Sequence, residues 1–290
     1  MLNSRIPSFL TRVRARIARD GSRAYHNTVA AFLNNGITAY WADFANFGDQ
    51  ITPLLLRHYG FTPFHAPPDR AQLVSTGSIL EHVPENYSGL IVGSGLIHES
   101  SRLSFPNAKI VAVRGRLTQE RLGLASRNIR LGDPGLLALT FLRKREIKKY
   151  VLGLVPHYVD KANTALSDIV RSNPLDCTFI DVEKKNSLDV IRQIDQCENV
   201  ISSSLHGLIV ADSLGIPNAW MFSRELTGDR FKFDDYYSSL DILNPNPIEL
   251  TGTEPVNALV SKVTAKSVER IADMIDGLSK EFGILRSHML

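Results

Sequence analysis

Short runs of β-branched and apolar residues alternate along this chain with stretches of helical period. That alternation narrows the fold to parallel sheets joined by crossover helices. The strand runs are Gly36–Trp41, Leu73–Ser75, Leu90–Val92, Lys109–Val113, Tyr150–Val155, Cys177–Asp181, Val200–Ile201 and Ala219–Met221. Between them fall helical stretches at Ile51–Tyr59, Gln119–Leu122, Leu136–Leu142, Ala162–Val170, Leu188–Gln196 and Leu208–Leu214. A closing helix is expected over about 255–282. At 290 residues the chain exceeds the size at which one core keeps growing, so two domains are expected. The basic run Arg143–Lys149 is the natural joint. The expected division is an N-terminal arm at 1–30, a first α/β domain at 31–145 and a second at 146–290. The two doubly wound sheets should face each other across a cleft.

The 43% hydrophobic and 22% charged content and the net charge of +3 describe a globular chain without the field that a nucleic-acid binder needs. The two cysteines, Cys177 and Cys197, have no metal-type spacing, and a reduced cytoplasmic setting is expected. No apolar run is long enough to span a membrane. The first residues interleave Arg5, Arg12, Arg14, Arg16, Arg19 and Arg23 with Ile6, Phe9, Leu10, Val13 and Ile17. Such a basic amphipathic helix suits either docking on the domain or contact with an anionic membrane surface.

The run Asn199–Pro217 concentrates the chemistry. A strand ends at Ile201, Ser202–Ser204 offer caps, and a helix runs to Gly215 with Pro217 beyond. Free N–H groups and the positive end of a helix dipole therefore lie beside the His206 imidazole. Such a turn can hold an anion and move a proton; a helix-capping histidine is the plainer reading.

Other candidates sit on loops after strands, where open α/β sheets bind ligands. Asn46 and Asp49 follow the first strand, Ser94 and Gly95 the third, and His157 ends the strand at Val155. Arg114 and Arg116 follow the buried run ending at Val113, and arginine suits a carboxylate or phosphate fork. A salt bridge to the neighbouring domain would serve Arg114 equally. Gly132-Asp133-Pro134-Gly135 reads as a turn. The segment Phe231–Tyr237, with Lys232, Asp235 and Tyr236, reads as an irregular connection whose aromatic faces and charges suit a sugar or an anionic substrate.

These stretches together resemble the polysaccharide pyruvyl transferase family. The resemblance rests on Asn46-Phe-Gly-Asp49, Val92-Gly-Ser-Gly95, Val113-Arg114-Gly-Arg, Gly132-Asp133-Pro134, Val155-Pro-His157, Ser204-Leu-His206-Gly and Lys232-Phe-Asp-Asp-Tyr236, in order over residues 37–240. It implies two Rossmann-like domains in a GT-B-like arrangement. Phosphoenolpyruvate would be the donor, with no cofactor and no metal. The acceptor would be a sugar or lipid-linked oligosaccharide of a bacterial exopolysaccharide or cell-surface glycan precursor, and the product a pyruvate ketal. The work would be cytoplasmic, at the inner face of the membrane where the basic arm makes contact. The expected catalytic residues are His206, Arg114 and Asp49. Donor binding falls to Arg114, Arg116, Ser94, Gly95, His157, Ser204, Leu205, His206 and Gly207. Acceptor binding falls to Asn46, Asp49, Lys232, Asp235 and Tyr236. The chain departs from the family at Ser204, where members often carry arginine, so either Arg114, Arg116, Arg224 or Lys232 supplies that charge or the donor pose differs. The competing expectations are a GT-B glycosyltransferase using a nucleotide sugar and a glycan-binding protein without activity.

Overall fold

The computed structural model describes residues 35–42, 47–184, 186–223 and 230–289. The basic arm at 1–30, Asn46 and Arg224 lie outside the described residues. The first sheet contains β1 (Gly36–Tyr40), β2 (Thr62–His65), β3 (Leu73–Val74), β4 (Leu90–Val92), β5 (Lys109–Val113) and β6 (Arg130–Leu131). Its strands run parallel in the order β2-β1-β3-β4-β5-β6. The second sheet contains β7 (Tyr150–Val155), β8 (Cys177–Phe179), β9 (Cys197–Ser202) and β10 (Asn218–Trp220). These are also parallel, in the order β10-β9-β7-β8. The expected mixed α/β class with parallel sheets is therefore observed. Strand β2, absent from the sequence reading, carries Pro63 and pairs only with β1, the edge position where a residue without an N–H is tolerated.

Helix starts follow local capping chemistry. In α1 (Ile51–His58), Pro53 sits in the first turn; α2 covers Arg116–Arg121. Asp133 caps a 3₁₀ helix at Pro134–Phe141 by accepting from the Gly135 N–H at 2.8 Å. Asn163 caps α3 (Thr164–Ser172), and Asn186 caps α4 (Ser187–Asp195). Helix α5 (Leu205–Ser213) starts at Ser204 with no side-chain cap, and α6 covers Phe231–Ser239. The Phe231–Tyr237 segment is thus helical, not irregular. It escapes a sequence reading because Arg230, not a capping Ser, Thr, Asp or Asn, precedes it, and its aromatic and charged residues form no aliphatic stripe.

The single closing helix expected over 255–282 divides into α7 (Val256–Val260) and α8 (Val268–Gly283), followed by α9 (Leu285–Met289). Between α7 and α8 the chain returns to the second sheet, where Thr264 bridges to Asn218. Helix α8 then packs on the first half: Met274, Leu278 and Phe282 share a buried cluster with Ile37, Leu73 and Ala112. Arg130 donates to Glu281 at 2.7 Å beside it. Helix α8 thus packs with the first sheet although it follows the second in sequence.

The 3₁₀ helix ties the halves together. Leu136 and Leu137 lie in the first-sheet cluster with Leu205, Leu208 and Ile209 of α5, while Ala138 packs with Val155 and Val210. Each fully buried Leu contributes on the order of 1.5–3 kcal/mol, so this seam holds α5 firmly against both sheets. Cys177 and Cys197 are free and buried, and burial pushes their thiols up to about 11 and about 12. Among the described residues no helix is long and apolar enough to cross a membrane.

Candidate active site

In a parallel sheet, a ligand crevice opens outside the carboxyl ends of two strands whose connections leave in opposite directions. From β1 the chain moves to β2 on one side, whereas β3 lies on the other; β7 and β9 are the equivalent pair in the second sheet. One cleft of about 250 Å³ collects residues following all four strands. Ala42 and Asp49 follow β1, Ser78 and Ile79 follow β3, His157 and Tyr158 follow β7, and Ser204, Leu205 and His206 follow β9. Lys232 of α6 also lines it, and His82 stands at its rim, its Nδ1 2.8 Å from the Tyr40 hydroxyl.

His206 is buried on the first turn of α5 and meets the Phe47 ring edge-on, with centroids 6.3 Å apart. Its Nε2 lies 3.6 Å from Asp133 Oδ2, and neither atom has a hydrogen-bond partner. On the other side the ring abuts Gly48, where a Cβ would overlap Nδ1 and Cγ. Only glycine lets the backbone pass so close, which is the physical reason for Phe47-Gly48-Asp49 at this point. Asp49 is buried and lies over Gly77, whose φ of +110° also favours glycine.

The start of α5 has the geometry to hold an anion. The Ser204 N–H is taken by Ser202 Oγ at 3.0 Å, and the turn that follows has no side-chain cap. The first N–H groups of a helix lack intrahelical partners and carry its positive dipole end. In the same cleft Lys232 is 8% exposed and, among the described residues, makes no hydrogen bond or ion pair. Burial, followed by the Arg114 charge, pushes its ammonium down to about 8, with Asp49 and Asp160 opposing. Its Nζ lies 5.6 Å over the Phe233 ring, and this cation–π contact leaves room for an incoming anion to pair with the charge.

His157 is buried and packs against the Tyr158 ring, tilted at 36° with centroids 4.2 Å apart. Its backbone N–H donates to Ser203 Oγ at 2.9 Å, and that hydroxyl donates to Asp160 at 2.5 Å. Ser223 donates to the other Asp160 oxygen at 2.7 Å. Burial, with the Lys232 and His206 charges, pushes the His157 imidazole down to about 4, so it is neutral near pH 7.

Several expected site residues stand elsewhere. Arg114 is fully buried: Nε donates to Asp235 Oδ2 at 2.8 Å, Nη2 to the Leu96 carbonyl at 2.6 Å and Nη1 to Ser78 Oγ. The guanidinium therefore braces the cleft wall through Ser78 and does not open onto the cleft. Gly95 packs flat against it, where a Cβ would overlap the guanidinium. Ser94 donates to the Gly77 carbonyl at 2.8 Å. The glycine-serine turn thus accommodates the Arg114 side chain.

Arg116 is spent on Ser238 and on Asp241 at 2.6 Å, at the far end of α6. Asp235 also accepts from the Thr118 N–H and hydroxyl, each at 2.7 Å, so it belongs to the Arg114 network. Tyr236 is fully buried and donates to Asp212 at 2.7 Å. These two residues of the segment pack inward because they lie on core faces of α6, while Lys232 reaches the cleft. Gly207 packs on Ser202 and Val155. The sequence reading did not assign roles to Asp133, Ser78, His82 or Asp160; only the Gly132-Asp133-Pro134 turn carried a signal.

Residues 88–221 match the polysaccharide pyruvyl transferase family. Arg114, Asp133, His157 and His206 lie within that stretch, and Asp49 and Lys232 outside it. The chain is 37% identical over 166 residues to an uncharacterized protein of Acanthamoeba polyphaga mimivirus, covering 54% of this chain and 56% of that protein. It is 28% identical over 213 residues to the succinoglycan biosynthesis protein ExoV of Rhizobium meliloti (strain 1021), covering 70% of this chain and 64% of that protein. The chain thus spans between half and two thirds of the length of these curated relatives. No solved structure matches it. Residues 88–221, just under half of the chain, are thus similar to the polysaccharide pyruvyl transferase family.

Proposed function

We propose that this chain is a transferase that moves the pyruvate unit of phosphoenolpyruvate onto two hydroxyls of one sugar, forming a ketal and releasing phosphate. The carrying observation is the Lys232 ammonium, which makes no hydrogen bond or ion pair among the described residues and lines the same cleft as the uncapped start of α5. That pair suits a small, strongly anionic donor, and Lys232 supplies the charge that Ser204 does not. This moves Lys232 from the acceptor to the donor side. Ser204, Leu205 and Gly207 then contribute the first turn of the helix, and neutral His157 closes the wall beside them.

Ketal formation needs one proton on the methylene carbon, loss of phosphate and addition of both hydroxyl oxygens to the neighbouring carbon. The two hydroxyl protons balance it: one ends on the new methyl group and one leaves with phosphate. In this reading His206 exchanges protons, because an imidazole works in both directions near neutrality. Asp49 orients the acceptor hydroxyls. Arg114, paired with Asp235, holds Ser78 and the donor wall in place. The acceptor is a sugar or lipid-linked oligosaccharide on the way to a surface polysaccharide, in keeping with the relative named for succinoglycan biosynthesis. We place the reaction in the cytoplasm, with the basic arm as a membrane contact. The two-domain, GT-B-like arrangement belongs to the same proposal, and its support is that strand ends of both sheets line one cleft.

Thermal unfolding with ligands separates this reading from its rival. A ligand that binds only the native state raises the transition by mass action. Phosphoenolpyruvate should raise it, while uridine- and guanosine-diphosphate sugars should not. The opposite pattern would replace pyruvyl transfer with nucleotide-sugar chemistry.

A further inference from the structure

Two buried polar atoms without hydrogen bonds point at each other behind the cleft: His206 Nε2 and Asp133 Oδ2, 3.6 Å apart. We propose that Asp133 is a positioning residue that keeps the proton of neutral His206 on Nε2, leaving Nδ1 as the atom that trades protons with substrate.

Three observations converge on this. First, Asp133 cannot turn away, because it is fully buried and its Oδ1 accepts from the Gly135 N–H at 2.8 Å, capping the 3₁₀ helix. Its second oxygen is thereby aimed at the imidazole. Second, the ring has little room to flip. Gly135 borders Cδ2 and Gly48 borders Nδ1, so Nε2 faces the carboxylate and Nδ1 faces the loop that carries Asp49. Third, a carboxylate beside Nε2 attracts an N–H and repels a lone pair, and the partner of one ring nitrogen decides the role of the other. At 3.6 Å the contact is electrostatic, and a closure of a few tenths of an ångström on ligand binding would make it a hydrogen bond. Among the described residues, the other charged or titratable groups near the ring are His157 and Lys232 on the cleft side and Asp49 on the loop.

In the proposed reaction the imidazolium gives its Nδ1 proton to the methylene carbon of the donor. The neutral ring, still protonated on Nε2 toward Asp133, then takes the proton of the first hydroxyl as its oxygen bonds to the adjacent carbon. The second hydroxyl proton leaves with phosphate, and the imidazolium is restored. The choice of substrate rests on the pyruvyl-transfer reading; the tautomer does not.

The test is the two-bond ¹H–¹⁵N histidine spectrum of the full chain without substrate, with the His206 signal assigned through His206→Gln. Neutral wild-type His206 should show the Nε2–H pattern. Asp133→Asn keeps an oxygen for the Gly135 N–H but offers Nε2 an amide donor, so the population should swing to Nδ1–H. In catalytic triads the same exchange selects the wrong tautomer and lowers turnover by about 10⁴. Phosphate release in Asp133→Asn should therefore fall by roughly 10²–10⁴, with phosphoenolpyruvate still protecting against thermal unfolding. An Nδ1–H pattern in the wild type overturns the proposal by itself, even if the variant does not fold. An identical tautomer in both proteins overturns it as well. Loss of donor protection in the wild type instead sinks the pyruvyl reading and leaves the tautomer assignment standing.

Discussion

Replacing Lys232 by Met should stabilise the ligand-free protein and abolish its response to donor. The side chains are close in volume, so packing is largely kept. Burial and the Arg114 charge push the Lys232 ammonium from its ordinary 10.5 to about 8. At about 1.4 kcal/mol per tenfold change in proton affinity, the native state holds that charge at a cost of about 3 kcal/mol. Below pH 8 the ammonium is charged in both states and the full cost applies. Between pH 8 and about 10.5 the native side chain sheds its proton while the unfolded chain keeps it, so wild-type stability climbs relative to the variant. Guanidinium denaturation from pH 7 to 10.5 should therefore show Lys232→Met ahead by about 3 kcal/mol at pH 7. The gap should close through the upper window. Phosphoenolpyruvate should raise the melting temperature of the wild type and leave that of Lys232→Met unchanged. A variant no more stable at pH 7, a gap independent of pH, or equal donor protection in both proteins would refute the account of an unpaired, ligand-seeking cation.

His206→Ala should fold normally and lose roughly 10²–10⁴ in phosphate release; near-full turnover would remove the imidazole from the chemistry. Gly48→Ala places a methyl group in the space of the His206 ring. It should cost about 1–3 kcal/mol in unfolding free energy and on the order of 10² in turnover through misplacement of the ring. Unchanged kinetics would show that the ring is not fixed there. Arg114→Met strands the Asp235 carboxylate in the interior and should lower stability by about 3–5 kcal/mol in denaturant titration. A loss under about 1 kcal/mol would contradict the bracing role and return Arg114 to the substrate.

What was legible in the sequence was what neighbouring residues decide. Strands β5 and β7 announce themselves through consecutive apolar, β-branched residues, and the start of α5 through serines followed by a helical stripe. The position of His206 beside free N–H groups follows from that local pattern alone. Arg114 shows the limit. An arginine ending a buried strand needs an anion, and here the anion is Asp235, 121 residues further on. Nothing near Arg114 in sequence distinguishes that carboxylate from a substrate. Helix α6 was unreadable because no capping residue marks its start at Arg230 and its aromatic and charged residues form no aliphatic stripe. Asp133 combined both difficulties. Its cap to Gly135 is a local turn signal, whereas its second oxygen meets a histidine 73 positions later. The closing helix broke where Thr264 pairs with Asn218, a contact that hydrophobic spacing does not encode.

The most direct trial of the central claim is the reaction itself in D₂O, with phosphoenolpyruvate and a panel of free and polyprenyl-linked sugars, followed by ¹H and ³¹P spectra. The account predicts one phosphate released per ketal formed, a ketal methyl group carrying one deuterium, and loss of both signals in His206→Ala. Phosphate release without a ketal, a ketal methyl free of solvent deuterium, or consumption of a nucleotide sugar in place of phosphoenolpyruvate would contradict it.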